Sequence, residues 1–279
     1  MDIRVVTDSA CDLPDDLVEK HNIRIVPLTI RFGDLEFVDR FELSHEAFWE
    51  RCANSDTLPE TSAPSAGAFE KVFTELFDDG ADAIVCINLA SRLSATMQAA
   101  EVAAASVSER GHVEVIDSLN VSLVLGNMAI VASERAAAGD DLEAVIAAVE
   151  SQRERGRLYA TLDTLENLRK GGRVGGAQAL LGSMLSIKPI VTFEDGEVTP
   201  LAKVRTRGKS LAWLVDKAAE ERIDHVGVLH ADADDLDDFL EMLRPVLPGQ
   251  DILVSTIGPV IGTHSGRGAI GITFTTGEE

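Results

Sequence analysis

Cysteine is scarce in this chain. Cys11, Cys52 and Cys86 are far apart and odd in number, which argues against both a disulfide framework and a zinc site. Basic residues are also few. Lys and Arg total 25 against 47 Asp and Glu, a formal net charge of −22. A phosphate backbone is repelled by such a field, so general nucleic-acid binding is not expected. Aromatics make up 5% of the residues and offer few platforms for base stacking. Long apolar runs are missing too. The longest, from Val121 to Ala132, is broken by Ser122, Gly126 and Asn127, whereas a membrane span needs about 20 residues. The start, Met1-Asp2-Ile3-Arg4-Val5-Val6-Thr7-Asp8, reads as a strand running into a loop, not as a signal peptide. These absences predict a reduced cytoplasmic protein with no integral membrane contact.

What is present suffices for two cores. At about 150 residues per domain, 279 residues predict two domains, residues 1–155 and 156–279. In the first, short β-branched runs (Ile3–Thr7, Ile23–Ile30, Ala83–Asn88, Val113–Ile116) alternate with helical patterns. The helices are expected around Ala68–Phe77, at Ser94–Arg110, at Leu119–Ala138 and at Leu142–Arg155, the last capped by Asp140 or Asp141. Such alternation predicts a mostly parallel sheet covered by helices. The second half predicts an α+β domain with more antiparallel pairing. Its strands are expected at Leu158–Thr161, His225–His230, Ile252–Thr256 and Ala269–Phe274. A hairpin is expected from Pro189 to Val204 around Asp195-Gly196. Helices are expected from Asp163, at Lys209–Glu221 and at Asp234–Leu243.

Several familiar motifs nearly match and fail. Gly266-Arg267-Gly268-Ala269-Ile270-Gly271 fits G-x-G-x-x-G but leads into a strand and the chain end, not into a helix followed by an acid. Gly208-Lys209-Ser210 resembles the end of a P-loop, yet Lys203 stands where the first glycine belongs. The aspartates of 232–238 lack the glycine and terminal glutamate of a calcium loop. No G-x-S-x-G elbow and no H-E-x-x-H occurs.

The remaining candidates are hydroxyl-rich and glycine-rich loops. Thr7–Pro14 follows the first strand, Thr61-Ser62-Ala63-Pro64-Ser65 precedes an amphipathic helix, Leu93-Ser94-Ala95-Thr96-Met97 opens a long helix, and Asp117-Ser118 follows a strand. Loops at the carboxyl ends of parallel strands converge on the usual ligand crevice of an open α/β sheet. Such residues are also ordinary helix caps. The two roles are compatible, because a helix start offers free N–H groups to a carboxylate or phosphate. In the second half, Arg169, Lys170 and Arg173 surround Gly171-Gly172. They fit an anion site and a dipole-compensated helix end equally well. Gly258–Gly266 is expected to be a loop carrying His264, a possible donor to a ligand anion.

These residues resemble the DegV family, a fatty-acid-binding family that includes the fatty-acid kinase B subunits. The resemblance spans essentially the whole chain. It rests on Thr7–Pro14, Thr61–Ser65, Leu93–Met97, Leu162–Arg173 and Gly258–Gly271. It implies a long-chain fatty acid such as palmitate lying between two domains. Its carboxylate would be held by Thr61 and Ser94, with Ser62 beside them, and Arg169, Arg173 and His264 would support or gate the head group. It further implies a separate ATP-dependent kinase subunit that phosphorylates the bound acyl group. The chain itself would be a carrier without catalysis, metal or cofactor. Where the family usually has glycine, tyrosine, glutamine and proline, this chain has Ala95, Met97, Ala63 and Arg267.

The implied ligand suits the physics. An acyl tail gains about 0.8 kcal/mol per buried methylene, and its carboxylate needs hydroxyl, N–H or guanidinium partners once out of water. Two rival readings remain at this point: an acyl or phosphoryl transferase with Ser94 as nucleophile, and a lipid-sensing regulatory module.

Overall fold

The computed structural model describes residues 1–179, 187–220 and 223–277. They divide into two units, residues 1–42 with 61–154 and residues 43–60 with 155–279.

The first unit is built on a four-stranded parallel sheet. Its strands are β1 (Ile3–Asp8), β2 (Arg24–Val26), β6 (Ala83–Asn88) and β7 (His112–Asp117), in the order β2-β1-β6-β7. Side chains alternate across a strand. Val6, Ile84 and Cys86 face α3 (Ala66–Asp78) and α4 (Thr96–Ser106), packing with Phe69, Phe73, Leu76, Ala100 and Ala103. The opposite set, Val5, Val85 and Ile87, is equally buried, and α5 (Ser122–Ala137) packs against β1 and β6. A Cβ on Gly126 of α5 would stand 2.7 Å from Leu13 and 2.9 Å from the Cys11 carbonyl, so glycine is what lets this helix approach the turn after β1. Two further helices complete the unit: α1 (Asp15–Lys20) and α6 (Leu142–Arg155), the latter capped by Asp141, which accepts from the Ala144 N–H at 2.9 Å.

The strand expected over Ile23–Ile30 is two strands. After β2 the chain leaves the parallel sheet at Pro27, which has no N–H to continue a ladder. The Leu28 N–H donates to Ser9 Oγ at 3.0 Å instead. The chain then enters β3 (Thr29–Phe32), which pairs antiparallel with β4 (Leu35–Val38); β5 (Glu60–Ser62) completes a small sheet of order β4-β3-β5.

The second unit carries a six-stranded mixed sheet. Its strands are β8 (Gly156–Thr161), β9 (Lys188–Glu194), β10 (Glu197–Val204), β11 (Ile223–His230), β12 (Ile252–Thr256) and β13 (Ile270–Thr276), in the order β10-β9-β8-β13-β11-β12. Neighbours pair antiparallel except β11 and β12, which are parallel and connected through α9 (Leu236–Leu243). The hairpin expected around Asp195-Gly196 is β9–β10, with both turn residues at positive φ. Leu211, Leu214 and Ala218 of α8 (Arg207–Glu220) join Phe239, Leu240 and Leu243 of α9 over Val226, Val228, Ile272 and Phe274. Glu221, the expected end of α8, lies outside the described residues.

Residues 43–60 belong to this unit although the sequence placed them in the first. Their helix α2 (His45–Ala53), capped by Ser44, carries Phe48 and Trp49. Both rings lie against Gly262, where a Cβ would meet each at 3.2 Å. Gly262 sits on α10 (Pro259–Ser265), which corrects the expected loop over Gly258–Gly266. Pro259 occupies the first turn, where its missing N–H costs nothing. No described helix is long and apolar enough to cross a membrane.

Candidate functional site

In the first unit the carboxyl edge of the parallel sheet gathers polar loops after β1, β6 and β7. The Thr61–Ser65 segment is built differently. Thr61 and Ser62 are strand residues of β5, and Ser65 caps α3, accepting from the Ala68 N–H at 3.2 Å. The 13 residues of α3 extend about 20 Å and lead into β6, itself about 20 Å long. Phe69 and Phe73 of α3 pack in one cluster with Ile84 and Cys86 of β6. Thr61 is half-buried and Ser62 exposed.

Ser94 precedes α4, which begins at Thr96, two residues later than expected. Its Oγ accepts from the Thr96 N–H at 3.3 Å and lies 2.8 Å from Thr96 Oγ1. It is half-buried, as is Met97, while Ala95 is exposed. A hydroxyl so placed keeps one direction free and sits among the unpaired N–H groups of a helix start, an arrangement suited to an anion.

Three aspartates of this unit are buried, Asp8, Asp12 and Asp39. Asp8 accepts from the N–H groups of Ala10 (3.0 Å) and Leu89 (2.8 Å) and from Asn88 Nδ2 (3.3 Å). Burial nonetheless raises its pKa to about 6, and the charge of Asp39 adds to the rise. Asp39 is pushed to about 6 by burial as well, against hydrogen bonding to Ser9 and the Arg40 N–H. Two strained backbones sit nearby: Asp12 (φ 49°) and Ser122 (φ 57°) are left-handed, and the Ser122 hydroxyl donates to Asp12 Oδ2. Non-glycine residues held there cluster at functional loops.

In the second unit the structure brings Arg173, Gly171 and His264 together. The double glycine has a cause for each member. A Cβ on Gly171 would lie 2.3 Å from His264 Nδ1, and Gly172 has φ 72°. Arg173 Nη1 donates to the Gly171 carbonyl at 2.6 Å. His264 is pushed down to about 4, first by burial and then by the Arg173 charge. It is thus a neutral imidazole near pH 7, able to donate one hydrogen bond. Asn167, on α7 (Glu166–Lys170), donates to the Thr263 carbonyl at 3.0 Å and joins α7 to α10. Arg169 lies apart from this cluster: it is exposed, 3.6 Å from Glu166 Oε1, which Lys170 Nζ approaches at 3.0 Å.

Three residues that support these groups were not singled out as site residues by the sequence, although Asp117 stood in one of its candidate loops. Asp117 receives the Ser91 N–H, Asn167 joins α7 to α10, and Asp163 pairs with Lys188 at 2.7 Å and with Arg207 at 3.8 Å. Asp163 and Asn167 stood inside the quoted Leu162–Arg173 motif, and Asp117 at a strand end; those positions were the available signal. Among the described residues no group of His, Cys, Asp and Glu is arranged to hold a metal ion, and the three cysteines are free.

Comparison with known proteins agrees with the resemblance. A family model described as "Uncharacterised protein, DegV family" matches residues 2–277. A DegV domain-containing protein of Streptomyces coelicolor is 36% identical over 280 residues, 98% of each chain. Among solved structures, a DegV family protein from Thermus thermophilus described as showing fatty acid binding superposes with a TM-score of 0.91 at 32% identity, covering 99% of this chain and 100% of the other. DegV from Bacillus subtilis, described as a fatty acid binding protein, gives 0.89 at 32% identity with the same coverage. The motifs, the mixed α/β architecture and a match running almost end to end agree, and the chain belongs to the DegV family.

Proposed function

We propose that this protein binds one long-chain fatty acid and presents its carboxylate to a partner kinase for acyl-phosphate formation. Thr61 and Ser94 hold the carboxylate, with Ser62 beside Thr61. Arg169, Arg173 and His264 support or gate the head group. The tail supplies most of the affinity, at about 0.8 kcal/mol per methylene. No cofactor takes part, and three free cysteines suit a reducing cytoplasm. The observation that carries this reading is the half-buried Ser94 hydroxyl at the start of α4, in a chain whose relatives at 32% identity are described as fatty acid binding. Against Ser94 as a nucleophile stands its neighbour: the group facing its Oγ is the Thr96 hydroxyl, which is not a base.

The reading is tested by denaturing extraction and mass spectrometry of the purified protein. About one fatty acid per chain is expected from a single pocket. Empty extracts, together with no binding of added palmitate or oleate, sink the proposal. Ser94→Ala and Thr61→Ala should each weaken binding about ten- to a hundred-fold, the loss of a hydrogen bond to a charged group. A covalent adduct on Ser94 formed with acyl donors alone would instead establish the transferase. For the partner, acyl phosphate should form only when carrier, ATP and a fatty-acid kinase subunit are combined.

A further inference from the structure

The segment between β6 and α4 carries Ser94, and three successive amides at its beginning are gripped by the last residues of β1 and β7 and by the turn that follows β7. The Leu89 N–H donates to Asp8 Oδ2 at 2.8 Å. The Ala90 N–H donates to the Asn120 carbonyl at 2.9 Å. The Ser91 N–H is shared by both oxygens of Asp117, each at 3.3 Å. Asp8 ends β1 and Asp117 ends β7, and the sheet order places β6 between them. Each carboxylate is fixed in turn. Asp8 also accepts from Ala10, and Asp117 from the Leu119 N–H at 2.8 Å, while Arg153 of α6 holds the Asp117 carbonyl at 3.3 Å. Past the grip the Leu93 N–H closes on the Ala90 carbonyl at 2.9 Å and Ser94 Oγ receives the Thr96 N–H. The chain from the last sheet residue to the first helix residue thus has little freedom.

We propose that Asp8 and Asp117 are positioning residues of the carboxylate site: together they clamp residues 89–91 and so fix where Ser94 presents its hydroxyl. The proposal rests on the reading of Ser94 as a carboxylate ligand. Neither residue needs to touch the fatty acid. The titratable groups facing Asp8 are Asp39, Cys11 and Cys86.

The test compares the affinity of a fatty acid with that of the fatty alcohol of equal length, which buries the same tail without the carboxylate. Asp117→Ala should weaken the acid about tenfold, as expected for a misplaced charge-assisted hydrogen bond, and leave the alcohol within about twofold. Asp117→Asn, which keeps an acceptor oxygen, should restore most of the loss. In a Ser94→Ala background Asp117→Ala should cost little more, because both act through one hydroxyl. Equal weakening of acid and alcohol, or additive losses, overturns the clamp. The two failures separate. If Ser94→Ala is without effect, the carboxylate reading falls and takes the clamp with it; if Ser94→Ala weakens binding and Asp117→Ala does not, the clamp alone falls. Asp8 is tested in the wild-type chain. As its buried carboxyl titrates between about pH 7 and 5, the Leu89 and Ser94 amide resonances should move with one midpoint. A Ser94 resonance indifferent to that titration removes Asp8 from the clamp.

Discussion

The first unit buries the carboxyls of Asp8 and Asp39 among its aspartates, and the second half-buries an imidazole, His264. Burial disfavours the charged form in every case, so it raises the acids and lowers the histidine. The first unit surrounds Asp8 with N–H groups at the end of a parallel sheet. The second sets its histidine against an arginine and uses a glycine to make room. One site is thus organised by loops tied to carboxylates, the other by a side chain wedged against bare backbone. Similar polar demands are met by hydrogen bonds in one unit and by steric fit in the other.

The largest expected difference between the units is their response to acid. Asp8 and Asp39 titrate near 6 in the fold against an ordinary 3.8. Their stabilising protonation is fully present below about pH 4 and is lost as pH rises through about 6. His264 titrates near 4 against an ordinary 6.5. Its contribution is fully present above about pH 6.5 and is lost as pH falls through about 4. Between pH 7 and 5 the first unit should therefore gain stability while the second loses it. At about 1.36 kcal/mol per pH unit, each group contributes at most about 3 kcal/mol. Amide hydrogen exchange at the two pH values, read separately for β6 and β13, checks this. Parallel movement of both units would erase the contrast.

The next effect sharpens the role of steric fit. Gly171→Ala should destabilise the second unit by about 1–3 kcal/mol, the cost of overpacking, because the new Cβ occupies the His264 ring position. Adding His264→Ala should recover much of that loss. A double variant no more stable than Gly171→Ala in thermal melting would show that the glycine serves something else. Smaller still is the contrast between two arginines of one motif. Arg173→Gln should raise the pKa of His264, since it removes a neighbouring positive charge, an effect visible in the imidazole NMR titration. Arg169→Gln should leave that titration alone and change stability by less than about 0.5 kcal/mol, as usual for an exposed ion pair.

Much of the first unit was legible because local pattern and tertiary outcome coincide there. Val5, Val6, Val85 and Cys86 are apolar on both faces of their strands, as a doubly covered parallel strand requires. The element ends around Ser65, Asp141 and Asn88 fell where caps and alternation placed them. The illegible parts share a cause: their local chemistry fits two structures. The run from Ile23 to Ile30 is strand-like throughout, and only the sheet available on each side of Pro27 divides it. Gly258–Gly266 has the glycines of a loop, yet α10 forms because Phe48 and Trp49 cover Gly262. Residues 43–60 carry no sign of the unit they join, since that choice lies in the fit of two rings over one glycine.

The candidate site divides the same way. Sequence by itself determined which chemistry is present: hydroxyls at helix starts, three bases around a double glycine, one histidine in the last motif, and the family these motifs belong to. Hydrogen-bonding capacity and charge are properties of a residue type and survive without coordinates. Tertiary structure decided the roles. It sent Arg169 to the surface and Arg173 to the histidine, and it gave Asp8 and Asp117 the amides of the Ser94 segment. It also fixed which groups titrate away from their ordinary values. Those outcomes depend on burial and on partners distant in the chain, 81 residues for Asp8 and Leu89 and 26 for Asp117 and Ser91, and no local pattern encodes either.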